Sequence, residues 1–191
     1  MRPASSEFAT DDQDPPMRIW GLGVSELHRG FWASHGISVA VLGERVEPDP
    51  NADLFLLLEP GQLVAFDLRS IAESLLWSRA DLIELAIRDE SPAGYRESVA
   101  LDASGRVVRV ERRYGGESGI VGEVLLARRL EDAREWSRSS SVEEAQSRMR
   151  GARNRESASC SGARYGAADR VSAIAFIRDI VRRWTHPDRV L

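Results

Sequence analysis

The sequence predicts an α/β fold with a mainly parallel sheet, an antiparallel hairpin and flanking helices, and three observations carry that prediction. Apolar runs of strand length alternate with segments of helical period through the first half of the 191 residues. One of those runs, Leu54–Leu58 (LFLLL), is continuously apolar, as a strand covered on both faces must be. Later, Arg96–Leu101 and Arg106–Tyr114 alternate apolar with polar residues around Asp102-Ala103-Ser104-Gly105, which is a hairpin pattern.

Taken in order, Arg18–Gly23 (RIWGLG) reads as a short buried strand, and Ser25 as the cap of a helix bearing Leu27, Phe31 and Trp32. Gly36 is a stop signal for that helix. Ile37–Leu42 is rich in β-branched residues and predicts a second strand. Beyond Leu54–Leu58, Leu63–Phe66 extends or follows that strand. Asp67 caps a helix with Leu68, Ile71, Ala72, Leu75 and Leu76 along one side. Leu82–Ile87 predicts a further central strand, Ile120–Ala127 one more strand, and Leu130–Trp136 a short helix. In the hairpin, Val99, Val107 and Val110 are expected to face inward and the arginines outward.

Residues 1–16 are polar and acidic and end in two prolines, so a disordered lead-in is expected. The α/β domain is expected over 17–136. Residues 137–166 are rich in Ser, Arg, Gly and Ala and read as a linker or long loop. Within it Ser141-Val142-Glu143-Glu144 fits a capping box, so a short solvated helix is expected to run through Met149. Residues 167–191 are expected to supply a docked helix over Asp169–Trp184, with Val171, Ile174, Ala175, Ile177, Val181 and Trp184 as its apolar stripe.

Composition excludes several chemistries. Every one of the 26 basic residues is arginine, so Schiff bases, a P-loop lysine and a lysine general base are all ruled out. A net charge of −4 argues against a nucleic-acid partner. One cysteine, Cys160, leaves no internal disulfide and suits a reducing cytoplasm. Neither a membrane span nor a signal peptide is recognisable, so a cytoplasmic protein is expected.

Candidate sites are few. Gly21-Leu22-Gly23 precedes a helix start, where backbone N–H groups can hold a phosphate. Glu26 occupies the place of the third glycine, and its carboxylate repels an anion there, so a plain tight turn is the competing reading. His28, His35 and His186 have no metal-ligand spacing, so no zinc site is expected and they read as surface or satisfied histidines. Cys160 reads as an incidental exposed thiol. Glu59 stands at the C-terminal end of a central strand, the side where open α/β sheets bind ligands, although Glu59-Pro60-Gly61 also has turn chemistry. The arginines at 106, 109, 112 and 113 suit phosphates, an acidic partner or a solvated strand face. The five tryptophans read as core or interface residues first.

Residues 52–114 resemble the sugar-1-phosphate nucleotidyltransferases, also called NDP-sugar pyrophosphorylases or synthases. In that family a hydrophobic strand ending in N-G-D is followed by an L-D-L helix, another strand, a D-x-x-G-R-V hairpin and E-K-P. Here Leu54–Leu58 stands for the strand, Gly61 for the family glycine and Asp67-Leu68 for the helix start. Asp102…Gly105-Arg106-Val107 matches the hairpin, Glu111-Arg112 falls at Glu-Lys, and Ser118-Gly119-Ile120 echoes the next strand. The resemblance implies a Rossmann-like sheet of GT-A type. It implies a ligand along Gly21, Gly23, Glu59 and Gly61, with Glu111 and Arg112 touching sugar or phosphate.

The departures fall on the catalytic parts. The metal-binding aspartate of N-G-D becomes Gln62, a poor Mg²⁺ ligand. The Gly-rich loop keeps only Gly21-Leu22-Gly23, the family lysine is absent, and the second acid has no counterpart near Tyr165-Gly166. The expectation is a divergent, shortened nucleotidyltransferase-like domain that binds a nucleotide sugar or sugar phosphate in cell-surface polysaccharide metabolism. Catalysis is expected to be reduced or absent, and Mg²⁺ is needed only if the chain is active, through Glu59 or Asp67. The alternative is a non-catalytic accessory or interaction module of a glycosyl-transfer system with a protein partner, suggested by the helix ending in Arg182-Arg183-Trp184.

Overall fold

The computed structural model describes residues 18–88, 95–102, 106–114, 120–149 and 154–185. A small hairpin comes first, β1 (Arg18–Ile19) and β2 (Leu22–Gly23), and α1 (Val24–Ala33) follows directly. Then come β3 (Ile37–Val41), β4 (Leu54–Leu58), β5 (Gln62–Phe66), α2 (Arg69–Trp77) and β6 (Leu82–Arg88). The second half contains β7 (Tyr95–Leu101), β8 (Val107–Tyr114), β9 (Ile120–Ala127), α3 (Leu130–Arg138), α4 (Val142–Arg148), β10 (Arg155–Gly166) and α5 (Arg170–Thr185).

Six strands form the main sheet in the order β3-β4-β9-β6-β10-β5. The pairs β3/β4 and β6/β10 are parallel, whereas β4/β9, β9/β6 and β10/β5 are antiparallel. The sheet is therefore mixed, not mainly parallel as the sequence suggested. Its cause is the excursion through β7 and β8: a chain that leaves β6 by a hairpin returns antiparallel to it, and β9 enters between β6 and β4 in that direction. The sheet also curls. β4 and β5 are four places apart in it, yet the tight turn 59–62 joins them.

Two layers cover the sheet. On one face α1, α2 and α5 enclose Leu56, Leu58, Ile83, Leu85, Val124 and Leu126, with Phe31, Trp32 and Phe176 fully buried. Each such side chain contributes about 1.5–3 kcal/mol of burial. On the other face α3 and α4 bring Trp136, Ala145 and Met149 onto Ala40, Phe55, Leu57 and Leu82. They reach only part of that face and leave the middle strands β9, β6 and β10 open.

Half of the expected capping box forms: Ser141 Oγ accepts from Glu144 N–H at 3.2 Å, but the Glu144 carboxylate accepts from Ser140 N–H at 2.8 Å, one residue before the cap. Asp67 Oδ1 accepts from Arg69 N–H at 3.0 Å at the start of α2, and Asp169 caps α5 through Val171 and Ser172. At Ser141 and Asp67 the caps read from the sequence are the ones the fold uses.

Elsewhere packing decides otherwise. Arg18–Gly23 is an exposed two-stranded hairpin rather than a buried strand, and α1 starts at Val24, ahead of Ser25. Trp20 at its turn has φ 51° and is 71% exposed. On α2 the buried stripe narrows to Leu68, Ile71 and Leu75, leaving Ala72, Leu76 and Trp77 exposed. On α5 the buried side is Ala173, Phe176, Ile177 and Ile180, one position away from the expected stripe, and Ile174 faces outward. The hairpin β7/β8 forms with the expected pairing, but as a ribbon apart from the main sheet, and Val110 is half exposed.

The largest correction concerns 137–166. This segment is not a linker: β10 is the longest strand among the described residues, it lies between β6 and β5 in the main sheet, and Cys160 is buried in the core instead of exposed. Its first half, 155–161, runs parallel to β6, and its second half, 162–166, runs antiparallel to β5. Gly162 sits at the changeover. A Cβ there would lie 2.6 Å from the Ala65 carbonyl oxygen and 2.7 Å from Phe66 Cβ, so no larger residue fits. The small side chains that made the segment look like linker are those a bending, crowded strand requires.

Candidate functional site

The part of the sheet that α3 and α4 leave open forms a cavity of about 350 Å³. Its floor is β4, β9, β6 and β10, contributing Leu57, Glu123, Leu125, Glu84, Ala86 and Ser157. Trp136, Val142 and Gln146 from α3 and α4 make one wall, and Glu59 and Gln62 from the β4–β5 turn make the rim. Period-two alternation explains the set. Leu56 and Leu58 go to the core face, so Leu57 goes to this one; Leu85 and Ile87 leave Glu84 and Ala86 here.

The β4–β5 turn is built to hold its shape. Pro60 and Gly61, the latter at φ 72°, are the central residues of a type II turn closed by Gln62 N–H donating to Glu59 C=O at 3.2 Å. The Gln62 side chain returns the bond, its Oε1 accepting from Glu59 N–H at 3.1 Å. Gln62 is thus buried and fixed, and Glu59 is exposed beside it. The Gly61 carbonyl accepts from Ala167 N–H at 2.8 Å, tying the turn to the end of β10. Trp136 is anchored by its indole N–H, donated to the Leu58 carbonyl at 2.8 Å.

Electrostatically the cavity is acidic. Glu59, Glu84 and Glu123 line it, and Arg155 pairs with Glu84 at 3.6 Å. Among the described residues no three His, Cys, Asp or Glu side chains come together so as to hold a metal ion. What the site offers is an apolar wall with several hydrogen-bond acceptors and two amides, which suits a neutral ligand rich in hydroxyls.

The sequence-derived residues separate into three places. Glu59 lies at the rim of the cavity together with Gln62, while Gly61 shapes the turn between them without lining the cavity. Gly21 and Gly23 lie in the β1/β2 hairpin at the start of α1, where Gly23 N–H donates to the Glu26 carboxylate at 2.7 Å. That carboxylate takes up the helix terminus from within the chain, in the position a phosphate would need. Glu111 and Arg112 are on β8, opposite Ser98 and Glu97, in the separate ribbon. Gly105, Ser118, Gly119 and His186 lie outside the described residues. Asp67 caps α2.

Glu84, Glu123, Trp136, Gln146 and Ser157 were not singled out from sequence. Glu84 and Glu123 carried a signal, being charged residues inside runs otherwise suited to central strands.

His28 is the other buried polar side chain of note. Val64 turns its N–H and C=O toward α1 at the free edge of β5. Trp32 Nε1–H donates to His28 Nε2 at 2.9 Å and to Val64 C=O at 3.2 Å, and Val64 N–H donates to the same Nε2 at 3.3 Å. Burial, with a smaller contribution from Arg29, lowers the His28 pKa to about 4 against the opposing effect of the Val64 carbonyl. His28 is a satisfied structural residue that closes a sheet edge.

No protein-family model matches the chain, and no curated protein matches it. Among solved structures, one similar chain is a putative glucose-1-phosphate thymidylyltransferase from Bacillus anthracis in complex with sucrose, at 10% identity and a TM-score of 0.34. The match covers 67% of this chain and 55% of that one, so the chain spans about half the length of this neighbour. An overlap that loose transfers neither a fold nor an activity. No helix among the described residues is long and apolar enough to cross a membrane.

Proposed function

We propose that the chain is a nucleotidyltransferase-like domain that holds the sugar part of a nucleotide sugar or sugar phosphate, with little or no turnover, in cell-surface polysaccharide metabolism. The observation that carries this reading is the meeting of Glu59 and Gln62 on one cavity with Glu84, Glu123, Gln146 and Trp136. Carboxylates and amides accept and donate to sugar hydroxyls, and the apolar wall suits the C–H face of a pyranose. A phosphate would be repelled by three carboxylates, so it would lie outside the cavity mouth. Gln62 at the position of the family's metal aspartate supports binding without phosphoryl chemistry.

The test is calorimetry and thermal shift with NDP-sugars, sugar phosphates and the corresponding free sugars, each with and without Mg²⁺. A ligand at 100 times its Kd stabilises by about 2.7 kcal/mol, which raises Tm by roughly 5 °C or more for a chain of this size. Binding is expected to be lost in Glu123→Ala and Gln146→Ala and to persist without Mg²⁺. A panel with no response, or a response untouched by both variants, removes the proposal.

A further inference from the structure

β10 has an open edge. Only its second half, 162–166, pairs with β5, so residues 155–161 have β6 on one side and no strand on the other among the described residues. The direction of their backbone groups follows from two bonds. Asn154 C=O faces β6, accepting from Leu82 N–H at 3.3 Å, whereas Ser161 C=O faces the opposite edge, accepting from Asp67 N–H at 2.9 Å. N–H and C=O groups alternate sides along a strand, so Arg155, Ser157 and Ser159 direct theirs to the open edge. All three residues are exposed, although β10 lies second from the end of the sheet. An edge of this kind is a template for another strand, and natural folds normally cover it.

The ground on either side of that edge is unlike. On one side lies the acidic cavity with Glu59, Glu84 and Glu123. On the other, a groove of about 290 Å³ is walled by Ile71, Leu75, Trp77 and Ile83, with Ser78 and Glu156 as its polar lining and Trp77 86% exposed. The two meet at Ser157 and Ala158, whose small side chains leave room for a neighbour. A strand docked here alternates its side chains, so it needs apolar residues toward the groove and basic ones toward the carboxylates.

β8 has that pattern. Val108, Arg109 and Val110 are consecutive and exposed, and β8 pairs only with β7 among the described residues, so its far edge is open too. Over residues 95–114 there are five arginines against three acids in a chain whose net charge is −4. A two-stranded ribbon alone is marginal in water and gains from being covered. We propose that two copies of this chain associate by strand addition, the β8 edge of one copy pairing with the open β10 edge, 155–159, of another. The valines then enter the groove beside Trp77, and Arg109 faces the carboxylates. The inference is independent of any sugar ligand.

Sedimentation velocity of the full chain across a concentration series tests it, with two variants. Ser157→Pro removes an N–H that points only to the open edge, and leaves the β6 ladder intact. Val110→Asp spoils the donor strand on an exposed ribbon. The wild type is expected to form species of twice 21.2 kDa or more, and each variant alone, folded by circular dichroism, to stay monomeric. An equimolar mixture of the two variants is expected to restore a dimer, because one contributes an intact β10 edge and the other an intact β8. A wild type that stays monomeric at all concentrations overturns the proposal. So does a Ser157→Pro chain that still associates, or a mixture that stays monomeric.

Discussion

Lowering the pH from 7.5 to 5.0 is expected to destabilise this protein through one residue, His28. In the unfolded chain the imidazole has its ordinary pKa near 6.5, and in the native state burial lowers it to about 4. Between those values the unfolded state binds a proton and the native state does not, so stability falls as pH falls. The slope approaches about 1.4 kcal/mol per pH unit, the loss is about 2 kcal/mol by pH 5.0, and it approaches roughly 3 kcal/mol near pH 4. The structural reason is direct. Protonation makes Nε2 a donor, which Val64 C=O can accept at 3.0 Å, but it sets that proton against the Trp32 indole N–H. Urea unfolding at half-unit pH steps measures the effect, with His28→Gln as the reference because its amide keeps an acceptor and does not titrate. The variant is expected to be less stable at pH 7.5 and to close most of that gap by pH 5.0. Parallel curves for the two proteins would refute the assignment, since carboxylates common to both cancel in the difference.

Gly162→Ala is expected to cost about 1–3 kcal/mol, because the added methyl meets Ala65 and Phe66 backbone and side-chain atoms; the urea midpoint reads it. Trp136→Phe removes the donor to Leu58 and some packed volume, at about 1–2 kcal/mol, while Leu42 N–H still satisfies that carbonyl. Asp132 is buried, its Oδ2 accepts no hydrogen bond among the described residues and has only Arg129 Nε at 3.9 Å, and burial raises its pKa despite that arginine. Asp132→Asn is therefore expected to raise Tm at pH 7, with the gain shrinking as the pH falls and the native aspartate takes up its proton.

Local rules were legible in the sequence. The Ser141 cap, the Asp67 cap, the LFLLL strand and the hairpin at 102–106 all depend on neighbours a few residues apart, and the residues that form them are explicit. Strand direction was not, because whether β9 enters parallel or antiparallel depends on where a distant hairpin returns it. β10 was missed for a different reason. Its Ser, Ala and Gly content reflects a bend, a close approach to Phe66 and an open edge, none of which has a hydrophobic signature. The site divided along the same line. Glu59 was legible through turn and strand-end chemistry, while Glu84, Glu123 and Trp136 reach the cavity only through sheet order and helix packing. The glycine turn at 21–23 had a correct warning beside it, in Glu26, whose carboxylate occupies the helix start.

Under the proposed function the acidic cavity on the sheet face holds a sugar. An amide-resolved NMR titration of the full chain with a sugar phosphate and with the matching NDP-sugar tests it most directly. Saturable shifts are expected in the Gln62 and Gln146 side-chain amides and the Trp136 indole N–H, shared by both ligands and absent with inorganic phosphate alone. Shifts confined to residues 18–23, or a spectrum that no sugar ligand changes, would contradict it.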